Sequence, residues 1–180
     1  MGFDQRIEEL GLAVPDFAAV PCTGLKYGAV ESHHLVGDLL FPSGHMPERS
    51  DGSGPRGLWA QHTAGPVQRA PQDRGCRPQV VHPGALGRDL TIGQGHDAAR
   101  VARLNALGGI RYTLGTLDRV VAVVRSLNFV VSTPDFHDIP LVADGVTDLL
   151  RDVFGEDAGV GGRATVGVVD DHRRSPRPDH

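Results

Sequence analysis

The sequence predicts a domain of mixed helices and strands in the order strand, strand, long loop, helix, strand, helix, strand. A helical repeat of apolar residues begins near Thr91, a β-branched run occupies 117–131, and a second helix–strand unit covers 140–169. Short connections between these elements favour right-handed crossovers, which place both helices on one face of a mixed sheet. We therefore expect the other face to be bare in one chain and to pack against another subunit.

The N-terminal elements are short. Residues 3–12 predict an amphipathic helix that Gly11 can end. Residues 26–35 and 38–42 predict two strands joined by a tight turn at Gly37-Asp38.

Local end signals define the two long helices. Either Asp89 or Thr91 can cap the first helix, and Gly115 can end it. Pro140 suits the first turn of the second helix, because its missing N–H would have no helical partner there. Gly155 is expected to close that helix.

The remaining segments complete the predicted domain. The β-branched run at 117–131 predicts a strand buried on both faces, and 163–169 predicts the last strand. Residues 48–86 are rich in Pro, Gly, Arg and Gln, and they predict a long surface loop, partly mobile. We expect one domain over 1–169 and a charged, solvated tail over 170–180.

Composition limits the classes of function. The chain has 180 residues and a net charge of −4, which gives no electrostatic reason to bind nucleic acid or an anionic membrane. No apolar stretch approaches the ~20 residues of a membrane span, and the acidic N-terminus does not look like a secretory signal. We therefore expect a cytoplasmic protein, with Cys22 and Cys76 as reduced thiols.

Several short motifs occur in an informative order. None is specific alone, but together their order and spacing resemble the RidA (YjgF) family over residues 6–47 and 87–169. The motifs include Leu39-Leu40-Phe41-Pro42-Ser43-Gly44-His45-Met46-Pro47, Gly87-Arg88-Asp89-Leu90-Thr91, Leu104-Asn105-Ala106-Leu107, Leu117-Asp118-Arg119-Val120, Asn128-Phe129-Val130, Pro134-Asp135-Phe136, Asp148-Leu149-Leu150, Val153-Phe154-Gly155 and Arg163.

The resemblance implies a fold, an assembly and a reaction. The fold is an α+β, chorismate-mutase-like arrangement, and the assembly is a homotrimer with clefts between subunits. The reaction is hydrolytic deamination of reactive 2-imino or enamine acids to 2-keto acids and ammonia, catalysed by a hydrolase acting on C=N bonds. The implied partner is a small 2-imino or 2-keto acid, and no cofactor is implied.

The resemblance also implies the site residues. Arg163 falls where the family holds the substrate carboxylate, and an arginine fork suits that bidentate contact. Ser43 and Gly44 fall where the family lines the pocket, and Thr165 where family backbone meets the ligand. Tyr27 is nearest to the family's pocket tyrosine. An imine carbon is already electrophilic, so no catalytic nucleophile is expected.

Two departures from the family pattern keep other interpretations open. The chain stops matching at Val169, so the family's last strand and its water-positioning glutamate have no counterpart. The loop at 48–86 is also longer than the family's usual connection. The alternative is a non-catalytic trimer that binds a small carboxylate metabolite or a protein partner, and a third possibility is an assembly without activity.

The nine histidines do not predict a metal site. The best clusters are His33-His34 and residues 135–138, and neither has the ligand spacing of a zinc site. We expect no metal.

Overall fold

The computed structural model describes residues 2–17, 26–27, 30–31, 33–49 and 79–169. This part of the chain has an α+β fold, with three α-helices and short paired strands. The predicted tail at 170–180 lies outside the described residues.

Helix α2, Ile92–Leu114, begins at the cap predicted from Thr91. The Thr91 side chain accepts a hydrogen bond from the backbone N–H of Gln94, and the Gln94 side chain accepts one from the Thr91 N–H. This reciprocal capping box satisfies donors that the first helical turn leaves open. Gly115 ends the helix in the left-handed region at φ 81°. Asp89, the other predicted cap, instead accepts a hydrogen bond from the Ala85 N–H.

Helix α3, Ile139–Gly159, carries Pro140 in its first turn, as predicted. Gly155 interrupts it at φ 82° and ψ 176°, so the helical path breaks at the predicted residue and one further turn follows. An apolar stripe along this helix is buried and supplies five of the eight buried residues of the hydrophobic core cluster. The residues of the stripe are Val142, Val146, Leu149, Leu150, Val153 and Phe154.

The two long helices pack directly against each other. A Cβ added at Gly145 would lie 2.3 Å from the backbone oxygen of His96, so only a glycine permits this approach. Helix α1, Phe3–Glu9, covers the end of the same core with Ile7. The Phe3 ring meets the Phe154 ring edge-on, with centroids 4.8 Å apart.

Strands β7, Arg125–Val131, and β8, Gly162–Val168, form a parallel pair. The predicted strand at 117–131 is therefore too long. Its first residues form a 3₁₀ turn, Leu117–Arg119, and residues 120–124 have no regular secondary structure. Residues 120–124 are mostly valine, and this β-branched composition is why the sequence suggests a strand there. Leu117, in the preceding turn, is buried in the core before the strand begins.

The prediction that this strand is buried on both faces is wrong. Side chains of β7 alternate, with Ser126 buried against α3 and Leu127 and Phe129 exposed. In the described part of one chain, no second layer covers the other face. The predicted bare face is confirmed for this strand pair.

The other described strands form three antiparallel pairs. They are β1, Lys26–Tyr27, with β2, Val30–Glu31; β3, His33–Val36, with β4, Leu39–Pro42; and β5, Glu48–Arg49, with β6, Gln79–Val80.

These pairs refine three predictions. The turn predicted between β3 and β4 occurs at residues 37–38. The loop predicted at 48–86 has paired strands near both ends, while residues 50–78 lie outside the described residues. The predicted single mixed sheet is not seen among the described strands, which form four two-stranded sheets.

The separate sheets attach to different helices. Helix α3 packs on β7 and β8, whereas α2 contacts β3, β4 and β5. No helix in the described part of the chain is long and apolar enough to cross a membrane.

Candidate functional site

Strand β8 presents Arg163 to helix α3. Arg163 lies opposite Ser126 in the parallel register, on the face that packs against this helix. Its Nη1 donates to Asp144 Oδ1 at 2.7 Å and to Thr147 Oγ1 at 2.9 Å. Two side chains one helical turn apart therefore fix one end of the guanidinium.

The rest of the Arg163 guanidinium is available to a ligand. Its side chain is 28% exposed, and its hydrogen bonds within the described residues all use Nη1. Nε and Nη2 form the edge of the fork that can donate two parallel hydrogen bonds to a carboxylate. The ion pair with Asp144 thus orients a donor edge without occupying it.

Thr165 lies on the same face of β8, two residues beyond Arg163. Its register partner on β7 is Asn128, whose Nδ2 lies 3.4 Å from Thr165 Oγ1. Asn128 was not among the predicted site residues. The sequence shows it only as a polar residue within an apolar strand, because its place beside Thr165 depends on the strand register.

Ser43 and Gly44 follow directly after β4. Ser43 is half-buried, and Gly44 is exposed, with nothing within 4 Å of an added Cβ. Asn105 on α2 anchors the segment by donating to the backbone oxygens of Met46 and Glu48, both at 2.8 Å. This anchoring leaves the Gly44 backbone open to approach.

The predicted site residues are attached to different elements of the chain. The contacts of Arg163 connect it to α3, whereas the segment with Ser43 and Gly44 is anchored to α2. Tyr27 lies in β1, opposite Val30, and its side chain lies outside what the structure describes.

A curated protein identifies the family. Protein TCP17 of Trypanosoma cruzi is 44% identical over 164 residues, which cover 91% of this chain and 82% of TCP17. The chain belongs to the TCP17 family. No family model matches the sequence.

Solved structures show a related fold for this TCP17-family chain. Protein Atu1372 of Agrobacterium tumefaciens, of unknown function, superposes with a TM-score of 0.66 at 23% identity, over 92% of this chain and 82% of that one. A Shewanella oneidensis protein described as a "putative endoribonuclease" has a TM-score of 0.70 at 24% identity, over 93% and 89%. At these identities the likeness concerns the fold alone.

The face of the β7–β8 pair opposite α3 is apolar and exposed in the TCP17-family chain. Leu127 and Phe129 on β7 are 53% and 65% exposed, and Val166 on β8 is 47% exposed. These three side chains are neighbours, because Phe129 pairs with Val166 in the parallel register. Contiguous exposed apolar side chains commonly mark an interaction surface.

The structure gives no group of three or more His, Cys, Asp or Glu side chains that could hold a metal ion within its described residues. His137 and Asp138, from the cluster considered in the sequence, are exposed where the chain enters α3.

Proposed function

We propose that this chain is a homotrimeric hydrolase that deaminates reactive 2-imino and enamine acids, with Arg163 holding the substrate carboxylate. The observation that carries the proposal is the orientation of the Arg163 guanidinium. Asp144 and Thr147 hold Nη1, and within the described residues Nε and Nη2 remain unbonded as an edge that suits a carboxylate. The related fold and the order of the sequence motifs support the same assignment.

The reaction needs little chemistry from side chains. Water adds its oxygen to the imine carbon, the nitrogen gains protons, and the C–N bond then breaks to release ammonia and leave a keto group. Arg163 would neutralise the carboxylate next to the reacting carbon and fix the substrate's orientation. Ser43 and Gly44 would supply backbone N–H groups, and Thr165 would line the same pocket.

The proposed site is completed between subunits. Arg163 and the Ser43–Gly44 segment are attached to different helices of one chain, so a neighbouring copy would supply the second group. The exposed apolar face formed by Leu127, Phe129 and Val166 supports such an assembly, because burying it would remove apolar surface from water.

The second candidate function is binding of a small carboxylate without turnover. Asp144 is the acidic side chain bonded to Arg163, and its Oδ1 is already engaged in that ion pair rather than with a water. A site that clamps a carboxylate but places no base beside the reacting carbon would bind its ligand without hydrolysing it.

The test measures ammonia and keto-acid release from freshly generated 2-iminopropionate. Wild type should accelerate hydrolysis, and Arg163→Ala should abolish the acceleration. Arg163→Lys should recover little, because an ammonium keeps the charge but not the fork. Arg100→Ala is the matched control, since Arg100 also pairs with an α3 aspartate, Asp152, and should retain activity.

Binding assays with 2-oxobutanoate separate the two candidates. Saturable binding without turnover, lost in Arg163→Ala, would replace the deaminase with the carboxylate-binding function. Neither turnover nor binding by a correctly assembled wild type would reject both functions.

A further inference from the structure

A second group of charged and titratable side chains lies beneath the segment that follows β4. The Arg103 cluster consists of His33 from β3, His45 from that segment and Arg103 from α2. The His33 and His45 rings have centroids 5.4 Å apart. Both rings approach α2 at Gly109, where an added Cβ would lie 2.2 Å from His33 Nε2 and 3.2 Å from His45 Cε1.

The positive charge of Arg103 has no protein partner in the described part of the chain. Its Nε is fully buried without a hydrogen bond, and no ion pair involves the residue. Burial lowers the pKa of the guanidinium, because it disfavours the charged form. Buried polar groups are normally paired, and an uncompensated buried charge is destabilising.

His45 adds a hydrogen-bonding group to the same place. Its Nε2 is buried without a partner, and its ring stacks on Phe17 with centroids 6.4 Å apart. Burial, with the positive charges of His33 and Arg103, lowers the pKa of His45 to about 4. The imidazole is therefore neutral near pH 7, and one of its nitrogens can donate a hydrogen bond.

We propose that the Arg103 cluster binds a small oxyanion of the carboxylate or phosphate class. Such an anion supplies a negative charge for Arg103 and an acceptor for the two buried donors, Arg103 Nε and the His45 imidazole. Arg103 lies on α2 beneath the segment that carries Ser43 and Gly44, whereas the partners of Arg163 lie on α3. Loss of anion binding in Arg103→Met and loss of deamination in Arg163→Ala are separate readouts, so either proposal can fail alone.

A binding role and a structural role for Arg103 predict opposite effects of its removal. If a bound anion is what balances the charge of Arg103, then Arg103→Met removes a partly buried, unpaired charge in anion-free buffer and keeps the apolar contacts of the side chain. The melting temperature of the variant in anion-free buffer should then equal or exceed that of wild type. If Arg103 is structural, the same variant should melt at a lower temperature.

The experiment titrates the full chain with inorganic phosphate and, separately, with acetate at constant ionic strength, following the melting temperature and the heat of binding. Wild type should bind one anion per chain and melt at a higher temperature as it does so. Arg103→Met should weaken binding by about tenfold or more, a change equivalent to the ~1.4 kcal/mol expected for a charge-assisted hydrogen bond. Arg100→Met is the matched control on α2 and should bind like wild type.

The two titrations distinguish the ligand classes. A response to phosphate alone assigns a phosphate site, and a response to acetate assigns a carboxylate site. No response to either anion overturns the proposal, as does an equal response in Arg103→Met.

Proton uptake gives a second readout. The groups whose charges act on His45 are His33 on β3 and Arg103 on α2. A bound anion favours the protonated imidazole, so binding at about pH 5 should take up protons, seen as a dependence of the binding heat on buffer ionisation enthalpy. His45→Gln should abolish this uptake, whereas uptake unchanged in His45→Gln would contradict the assigned geometry.

Discussion

Arg163 on β8 and Asp144 on α3 form an ion pair with Nη1 and Oδ1 2.7 Å apart. The two lie nineteen positions apart in sequence. The pair joins the last strand to the helix before it, and it sets the direction of the guanidinium. The contact with Asp144 positions Arg163, and the negative charge of Asp144 also competes with a ligand carboxylate for the guanidinium.

This competition predicts that Asp144→Asn strengthens carboxylate binding. The amide keeps an acceptor oxygen for Nη1 but removes the negative charge that opposes an incoming carboxylate. Because the pair is partly exposed, we expect a gain of at most about fivefold, equivalent to ~1 kcal/mol. Calorimetric titration with 2-oxobutanoate measures the change.

Asp152→Asn is the control for that experiment, since Asp152 pairs with Arg100 elsewhere on the same helix. It should leave the affinity unchanged. Weaker binding by Asp144→Asn would mean that the ion pair matters more for positioning than for competition.

The apolar face of the β7–β8 pair predicts an assembly that one charge can disrupt. Phe129→Glu places a carboxylate on that face, where subunit contact would bury it without a partner. Light scattering should show the mass of one chain for this variant and of three chains for wild type. Val121→Glu is the control, since Val121 is also exposed but lies outside the strands. Equal masses for the three proteins would remove this face from the interface.

Two glycines of the long helices should respond to alanine in opposite directions. Gly145→Ala places a Cβ 2.3 Å from a backbone oxygen of α2, so it should lower the free energy of unfolding by about 1–3 kcal/mol. Gly93→Ala meets only Thr91 Oγ1 at 3.9 Å and should raise it by about 0.5–1 kcal/mol. Urea unfolding measures both values. An unchanged free energy of unfolding in Gly145→Ala would show that the two helices can move apart at little energetic cost.

The sequence predicts the helices well because their signals are local. The capping residues of α2 lie three positions apart, and the stripe of α3 repeats within its own turns. Burial of a strand is different, because it depends on what covers each face. The β-branched run at 117–131 could not reveal that one face of β7 has no cover in the single chain.

The contacts of the two charged sites are not local. Pairing of Arg163 with Asp144 requires the register of β8 against α3, and the approach of His45 to Arg103 joins a loop to a distant helix turn. The sequence therefore indicated Arg163 through family resemblance and His45 only as part of a motif. It gave no sign that Arg103 is buried.

The buried imidazole of His45 predicts a loss of stability in mild acid. Its pKa is about 4 in the folded chain, against an ordinary value of 6.5. Between these values the unfolded chain binds a proton that the folded chain does not, so stability falls as pH falls. From pH 7 to pH 5 this histidine alone should remove about 2 kcal/mol from the free energy of unfolding.

Urea unfolding at several pH values in anion-free buffer tests this prediction. Between pH 7 and pH 5, the free energy of unfolding of His45→Gln should fall by about 2 kcal/mol less than that of wild type, because glutamine does not titrate. His34→Gln is the matched control, since His34 is exposed on the strand that carries His33. Burial also lowers the pKa of His33, so some acid sensitivity should persist in His45→Gln. If the free energy of unfolding of His45→Gln depended on pH just as that of wild type does, the His45 ring would have to be exposed to water.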